Sequence, residues 1–243
     1  MITYRAMFSR AMLLAVTAPV LLAQGPASLP GTAPGELVVL VHGMGRTTMS
    51  MAPIRRTLEA AGYEVFSFGY SSYCCTITTI GESLRAELRA TMGPQHRRVH
   101  FVGHSLGNIV IRYVLTRDTL PERVGNVVML APPNQGAHAA NTFTPWVGWL
   151  LRPVSELGAD NGSTARSLPR VRDVRIGVIA ARDDRAVKIP ETHLAEESAH
   201  LLVGGGHSFI MGRAEVKKQV STFLRTGAFS TGTTAIAPRS NTP

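Results

Sequence analysis

Acidic residues are scarce in this chain of 243 residues. Sixteen Asp and Glu stand against 25 Lys and Arg, for a formal charge of +9 at pH 7 and a pI near 10.4. The basic residues are scattered, as in Arg55-Arg56, Arg97-Arg98, and Arg170, Arg172 and Arg175, with no long basic run interleaved with aromatics. That excludes a nucleic-acid surface and fits a solvated basic surface with a general attraction for anionic membranes. Cysteine is nearly absent: Cys74 and Cys75 are the two, and they are neighbours. Adjacent residues bridge only through a strained ring, so an ordinary structural disulfide is not expected. Neither has a Cys or His at ligand spacing, so no metal site is expected. The pair reads as packing or loop thiols, with a redox pair as the alternative. Beyond the first residues no stretch is long and apolar enough to cross a bilayer, and there is no internal repeat.

The N-terminus is the exception. Arg5 and Arg10 precede an apolar run from Ala11 to Leu22, and small residues follow at Ala23 and Ala27. Residues 1–27 therefore read as an export signal, with an uncleaved membrane anchor as the alternative. No cysteine follows at the cut, so lipoprotein processing is not suggested. The expected location is periplasmic or secreted. Residues 28–35 form a Pro/Gly-rich linker. With 44% hydrophobic and 17% charged residues, the remainder suits one globular domain at 36–226. Residues 227–243, rich in Ser, Thr, Gly and Pro, read as a disordered tail.

Within the domain, continuous apolar runs alternate with helical patterns. Strands are expected at Glu36 to Val41, Tyr63 to Phe68, Val99 to Val102, Val124 to Leu130, Arg172 to Ala180 and Ala199 to Val203. Helices are expected at Met51 to Ala61, Thr76 to Met92, after Ser105, and about Ala214 to Leu224. Runs apolar on both faces belong to covered parallel strands. The alternation implies an α/β fold: a doubly wound, mostly parallel sheet of about six strands with helices on both faces. Ligands of such sheets bind at the carboxyl ends of the strands, and His42, Ser105, Asn134, Asp184 and His207 each follow one of the runs.

Gly103-His104-Ser105-Leu106-Gly107 is a G-x-S-x-G pattern between a strand and a helix, the context a nucleophile elbow requires. A serine hydroxyl needs a base, and the base an acid to fix its tautomer. In the order expected for this elbow, Ser then Asp or Glu then His, His207 is the favoured base. It follows the last strand and three glycines, Gly204 to Gly206. His138, His193 and His200 are less well placed. The acid should follow the strand ending near Ala180. Asp184 is chosen because Val187 can anchor its loop, with Asp183 as the alternative. An oxyanion hole would take the backbone N–H of Leu106 and that of Met44, inside His42-Gly43-Met44-Gly45. His42 and His104 are candidates to line the substrate site. Asn141 to Arg170 lacks strand character and carries Trp146 and Trp149. It reads as a lid-like insertion or acyl groove with those aromatics facing substrate, or else as a helix packed on the core.

Leu40-Val41-His42-Gly43-Met44-Gly45-Arg46, the elbow, Ala131-Pro132-Pro133-Asn134-Gln135-Gly136, Asp184 with Val187 and Thr192, and His207-Ser208-Phe209 together resemble the α/β-hydrolase superfamily of serine esterases and lipases. Within it the chain is similar to small bacterial lipase-like proteins and to the inositol-deacylase-like group that acts on glycosylphosphatidylinositol lipids. Two positions depart: Asn108 stands where a second glycine is usual, and Ala137 where Ser is common. The resemblance implies a cofactor-free carboxylic ester hydrolase with Ser105, Asp184 and His207 as its triad. Its partner would be an ester or lipid substrate, met by peripheral contact with a membrane. An acyltransferase with the same triad, or a weakly catalytic lipid-binding module on this fold, are the alternatives.

Overall fold

The structure is a computed structural model, and it describes residues 35–117, 123–137, 156, 164–230 and 235–236. Its elements are β1 (Glu36–Val41), α1 (Ala52–Ala60), β2 (Glu64–Phe68), α2 (Ile77–Thr91), β3 (Arg98–His104), α3 (Leu106–Leu115), β4 (Val124–Leu130), α4 (Thr164–Ser167), β5 (Ile176–Ala181), α5 (Ile189–Thr192), β6 (Ala199–Val203), α6 (Ala214–Thr226) and β7 (Ala235–Ile236). Short 3-10 turns cover Thr48–Met51 and His207–Gly212. The strands form one sheet in the order β2-β1-β3-β4-β5-β6-β7. The first six are parallel, and β7 pairs antiparallel with β6. The expected α/β architecture is the observed one.

Side chains alternate across a strand, so each apolar run feeds two cores. Leu37, Val39 and Val41 of β1 join Ile80, Leu84 and Leu88 of α2 and Ile109, Val110 and Val114 of α3 on one face. Val38 and Leu40 join Ile54 and Leu58 of α1 and Val216, Val220 and Phe223 of α6 on the other. Helix α3 is buried from Leu106 to Val114, which explains its apolar character on all sides. Helix α2 starts where Thr76 Oγ1 accepts the Thr79 N–H at 3.1 Å, a side-chain N-cap. The carboxylate of Glu156 accepts the Ile77 N–H at 2.6 Å, satisfying another of the first-turn donors. Among the described residues no helix is long and apolar enough to cross a membrane.

Three expectations are corrected. Strand β5 begins at Ile176, not Arg172, because pairing to β4 starts only at Ile176. Of the expected disordered tail, residues 227–230 and 235–236 are placed. Gly227 closes α6 in the left-handed conformation at φ 71, the Phe229 ring packs tilted against Phe223 with centroids 4.7 Å apart, and the Ser230 N–H donates to Gln219 Oε1 at 2.9 Å. Ala235–Ile236 then pairs with the edge of β6, which would otherwise present unpaired backbone groups. Composition is blind to an aromatic anchor and to an open sheet edge. Finally, Cys74 and Cys75 form a disulfide, their Cα atoms 3.8 Å apart. They are not packing thiols: residues 72–74 lie in a turn, where neighbouring side chains can meet. Residues 1–34, and with them the export segment, lie outside the described residues, as do 138–155 and 157–163 of the insertion region.

His100 shows how the centre of the sheet depends on a neutral ring. Register between β3 and β4 shifts between Val99 and Phe101. There the Asn126 N–H donates to His100 Nδ1 at 2.9 Å. A side chain on Gly125 would collide with this ring. Burial, aided by the Arg98 charge and opposed by the Asn126 bond, pushes the His100 pKa down to about 4. Unfolded, the ring takes its proton near 6.5. The unfolded state therefore binds more protons between those values. The contribution is complete above about pH 6.5 and is lost as pH falls toward 4, by roughly 3 kcal/mol for a shift of this size. Urea midpoints at pH 7 and 5 should show this fall. The slope should flatten in His100→Asn, which keeps an acceptor for Asn126. An equal slope in both proteins would contradict the assignment.

Candidate active site

The site begins at the end of β3. Ser105 joins β3 to α3 with φ 50 and ψ −124, a conformation that costs on the order of 1–3 kcal/mol for a residue with a side chain. Its neighbours hold it there. A Cβ on Gly107 would lie 2.4 Å from the Val41 carbonyl oxygen, and one on Gly103 2.3 Å from Asn108 Oδ1. Only glycine lets α3 lean against the end of β1 and Asn108 lie across β3. The Ser105 N–H donates to the Leu130 carbonyl at 2.9 Å.

Asn108 completes the brace. Its Nδ2 donates to the Ser105 carbonyl at 3.1 Å and to the Leu130 carbonyl at 3.0 Å. The residue that departs from the usual glycine thus stitches the elbow to β4. Sequence reasoning noted the departure but not the role. The available signal was a polar residue three positions after the serine, on a helix apolar all round.

His207 and Asp184 complete the arrangement. His207 Nε2 is 2.9 Å from Ser105 Oγ, and His207 Nδ1 is 2.7 Å from Asp184 Oδ2. A carboxylate only accepts, so Nδ1 carries the proton and Nε2 faces the hydroxyl as acceptor. Asp184 Oδ1 accepts the Ala186 and Val187 N–H groups, each at 2.8 Å. Burial works against its charge, but the His207 bond and charge and those two N–H groups outweigh burial and hold the pKa below its usual value. Asp183 is turned elsewhere: its Oδ2 accepts the Gly205 N–H at 3.1 Å. Of the two candidate acids, Asp184 is the one that meets the histidine.

His42 and His104 do not line an open surface, as both are 1% exposed. His42 stacks on Tyr70 with centroids 4.2 Å apart, and Tyr70 Oη donates to the His42 carbonyl at 2.7 Å. His104 Nε2 donates to the His207 carbonyl at 3.0 Å. Burial, with the adjoining His207 charge, pushes its pKa down to about 3. Both support the loops from within. They were expected at the substrate because motif position says which strand end a residue follows, not which way its side chain turns.

Met44 and Leu106 stand on the two loops expected of an oxyanion hole. Leu106 opens α3, where the first N–H groups have no carbonyl one turn back. The neighbouring Gly45, at φ 63, donates its N–H to Ser72 Oγ at 2.8 Å, fixing the loop that carries Met44. Tyr73 packs beside Gly45, and the Arg46 guanidinium lies 5.9 Å over the Phe209 ring. Phe209 and Tyr73 are 79% and 52% exposed, so two large apolar side chains sit on the loops next to the serine. From sequence Tyr73 was not singled out, and Phe209 only as part of His207-Ser208-Phe209. Trp146 and Trp149 lie outside the described residues.

One group has metal-ligating chemistry among the described residues: His193, Glu197 and His200. Glu197 Oε1 accepts from His193 Nδ1 at 2.8 Å and from His200 Nδ1 at 3.1 Å. The two rings face each other at 4.1 Å. The group serves as a hydrogen-bonded brace between the loop after α5 and β6.

Sheet order and the strand–turn–helix elbow are those of the α/β-hydrolase fold. Similar solved structures include the mature lipase BlEst2 of Bacillus licheniformis, at 18% identity and TM-score 0.65, covering 82% of this chain and 94% of that one. An α/β hydrolase from lagoon-sediment metagenome, MGS-MChE2, matches at 16% identity and TM-score 0.58, covering 79% and 90%. A lipase-esterase related protein of Clostridium acetobutylicum matches at 14% and 0.55, covering 79% and 96%. At these identities the likeness speaks for the fold. Comparison with curated proteins gives no match. The sequence profile of the palmitoyl protein thioesterase family matches residues 37–167, more than half of the chain, and the protein belongs to that family. The family is one of thioesterases, and the fold shared with these neighbours is that of α/β hydrolases.

The brace predicts a measurable effect. Asn108→Ala should lower unfolding stability by about 1–2 kcal/mol. Two hydrogen bonds are lost, yet each accepting carbonyl keeps another donor. A urea midpoint unchanged from wild type would show that Asn108 does not hold the elbow.

Proposed function

We propose that the protein is a serine acyl hydrolase that cleaves carboxylic esters through an acyl-enzyme. The observation that carries this reading is the continuous relay from Ser105 Oγ through His207 to Asp184, with contacts of 2.9 and 2.7 Å. Ser105 Oγ attacks the acyl carbon as its proton passes to His207 Nε2. The carbonyl oxygen becomes an oxyanion between the Met44 and Leu106 N–H groups. Asp184 keeps Nδ1 protonated and stabilises the imidazolium. The proton then leaves with the alcohol, and water repeats the sequence to free the acid.

A thioester substrate is the second reading, favoured by membership of the palmitoyl protein thioesterase family. The chemistry differs only in the leaving atom, so one triad serves both. Exposed Phe209 and Tyr73 support an apolar acyl substrate or a lipid surface near the site. The disulfide of Cys74 and Cys75 supports an oxidising compartment, hence export.

A fluorophosphonate probe should label wild type and leave Ser105→Ala unlabelled. Equal labelling of the two proteins would overturn the assignment of the nucleophile. Asp184→Asn should keep the fold but lower kcat by about 10⁴-fold through the wrong imidazole tautomer, read on matched acyl esters and thioesters from two to sixteen carbons. The ratio of kcat/KM within each pair decides between the two readings.

A further inference from the structure

Helices α1 and α6 lie side by side on one face of the sheet. Ile54 and Leu58 of the first and Val216 and Val220 of the second are buried in the same core. Outside that core the side chains between the helices are small: Pro53, Ala60 and Ala61 from α1 and its end, and Ala214, Ser221 and Thr222 from α6. Side chains of this size do not fill the space between two helix surfaces, and a groove of about 710 Å³ is left there. Ala60 and Ala214 are exposed in it.

The groove carries charge of one sign. Arg56 of α1 and Lys217, Lys218 and Arg225 of α6 line it, with no carboxylate among the lining residues. The acids closest in sequence are engaged elsewhere. Glu59 pairs with Arg55 at 2.7 Å, and Glu215 stands in the first turn of α6, where the helix dipole favours an anion. The four cations make no ion pair among the described residues. Even with Arg225 set against Glu36, whose opposite charges both act on the Tyr63 hydroxyl, Arg56, Lys217 and Lys218 remain.

We propose that this groove docks an acidic amphipathic helix of another protein. The lining of α6 runs from Ala214 to Arg225, a rise of about 17 Å or three turns, so a lone oxyanion would occupy a small part of it. Bases of a nucleic acid would find no aromatic ring in the lining on which to stack. A lipid surface takes up projecting apolar side chains. The large ones exposed among the described residues, Met49, Tyr73 and Phe209, stand on the loops at the carboxyl end of the sheet instead. A second copy of this chain brings a formal charge of +9, the wrong sign. An acidic helix meets each condition. Its apolar stripe packs on the small side chains, as a third helix beside two, and its flanking carboxylates face cations on both walls. The groove lies on α1 and α6, apart from the serine relay, and does not depend on the reaction assigned there.

Anisotropy titration of the whole chain against a labelled helical peptide tests this. The peptide has about 18 residues, enough for an isolated helix to form, with Leu along one stripe, Glu on both sides of it and Ala elsewhere. Saturable binding of one peptide per chain is expected, weakened by salt but not abolished. Lys218→Glu, at an exposed position, should weaken it by about fivefold, the scale of an exposed charge contact. Ala60→Trp, also exposed, fills the groove and should weaken it by about tenfold or more, the scale of one apolar side chain kept out of its site. Both variants should keep the thermal midpoint of wild type, and a peptide of the same composition in shuffled order should bind more weakly. Equal binding of the shuffled peptide or of one with Lys in place of Glu, or one affinity shared by wild type and both variants, overturns the proposal. Absence of saturable peptide binding overturns it as well, and capture by phosphatidylglycerol vesicles in that case assigns the groove to a lipid surface.

Discussion

The structure depends on a single strained backbone position. Ser105 keeps φ 50 only because everything around it is arranged to tolerate that angle. Gly103 and Gly107 remove the side chains that would block it. Its own N–H reaches across to Leu130, and Asn108 ties both ends of the turn to the same strand end. The cost, of order 1–3 kcal/mol, is offset by the burial of α3 between β1 and α2. Among the helices described it is the most completely enclosed, and it could not be so without the sharp turn that starts it.

Charge is managed around the elbow in two opposite ways. Asp184 is surrounded by donors and stays ionised despite burial. His104, next to the serine in sequence, is stripped of water and held neutral, which lets it donate to the His207 backbone without adding a cation to the site. Two groups within one small region are thus held in different ionic states by their surroundings, a separation that acid–base chemistry requires. Arg112 follows neither pattern: it is enclosed and charged, with carbonyls for partners.

Much of this was legible in the residues. The strands β1, β4 and β6 occupy the spans their apolar runs delimit. Ser105 and His207 followed from motif and chain order. Choosing Asp184 over Asp183 rested on Val187, and the structure supplies the reason in the Ala186 and Val187 N–H bonds that hold the carboxylate. The inward turn of His42 and His104, the brace of Asn108 and the disulfide at Cys74 were not legible. Each depends on where a side chain points or what a distant segment offers it: Tyr70 for His42, Leu130 for Asn108.

By itself the sequence determined which residues follow which strands, because hydrophobic period and glycine placement are local properties. It thereby determined the sheet, the elbow and the chain order of Ser105, Asp184 and His207. Only the tertiary structure decided that these three meet within hydrogen-bond distance and that Ala235–Ile236 pairs along the edge of β6. Those outcomes turn on contacts between residues from 11 to more than 100 positions apart, as between Gln219 and Ser230 or Ser105 and His207. No local pattern encodes the direction in which such side chains turn, since packing from both partners fixes it at once.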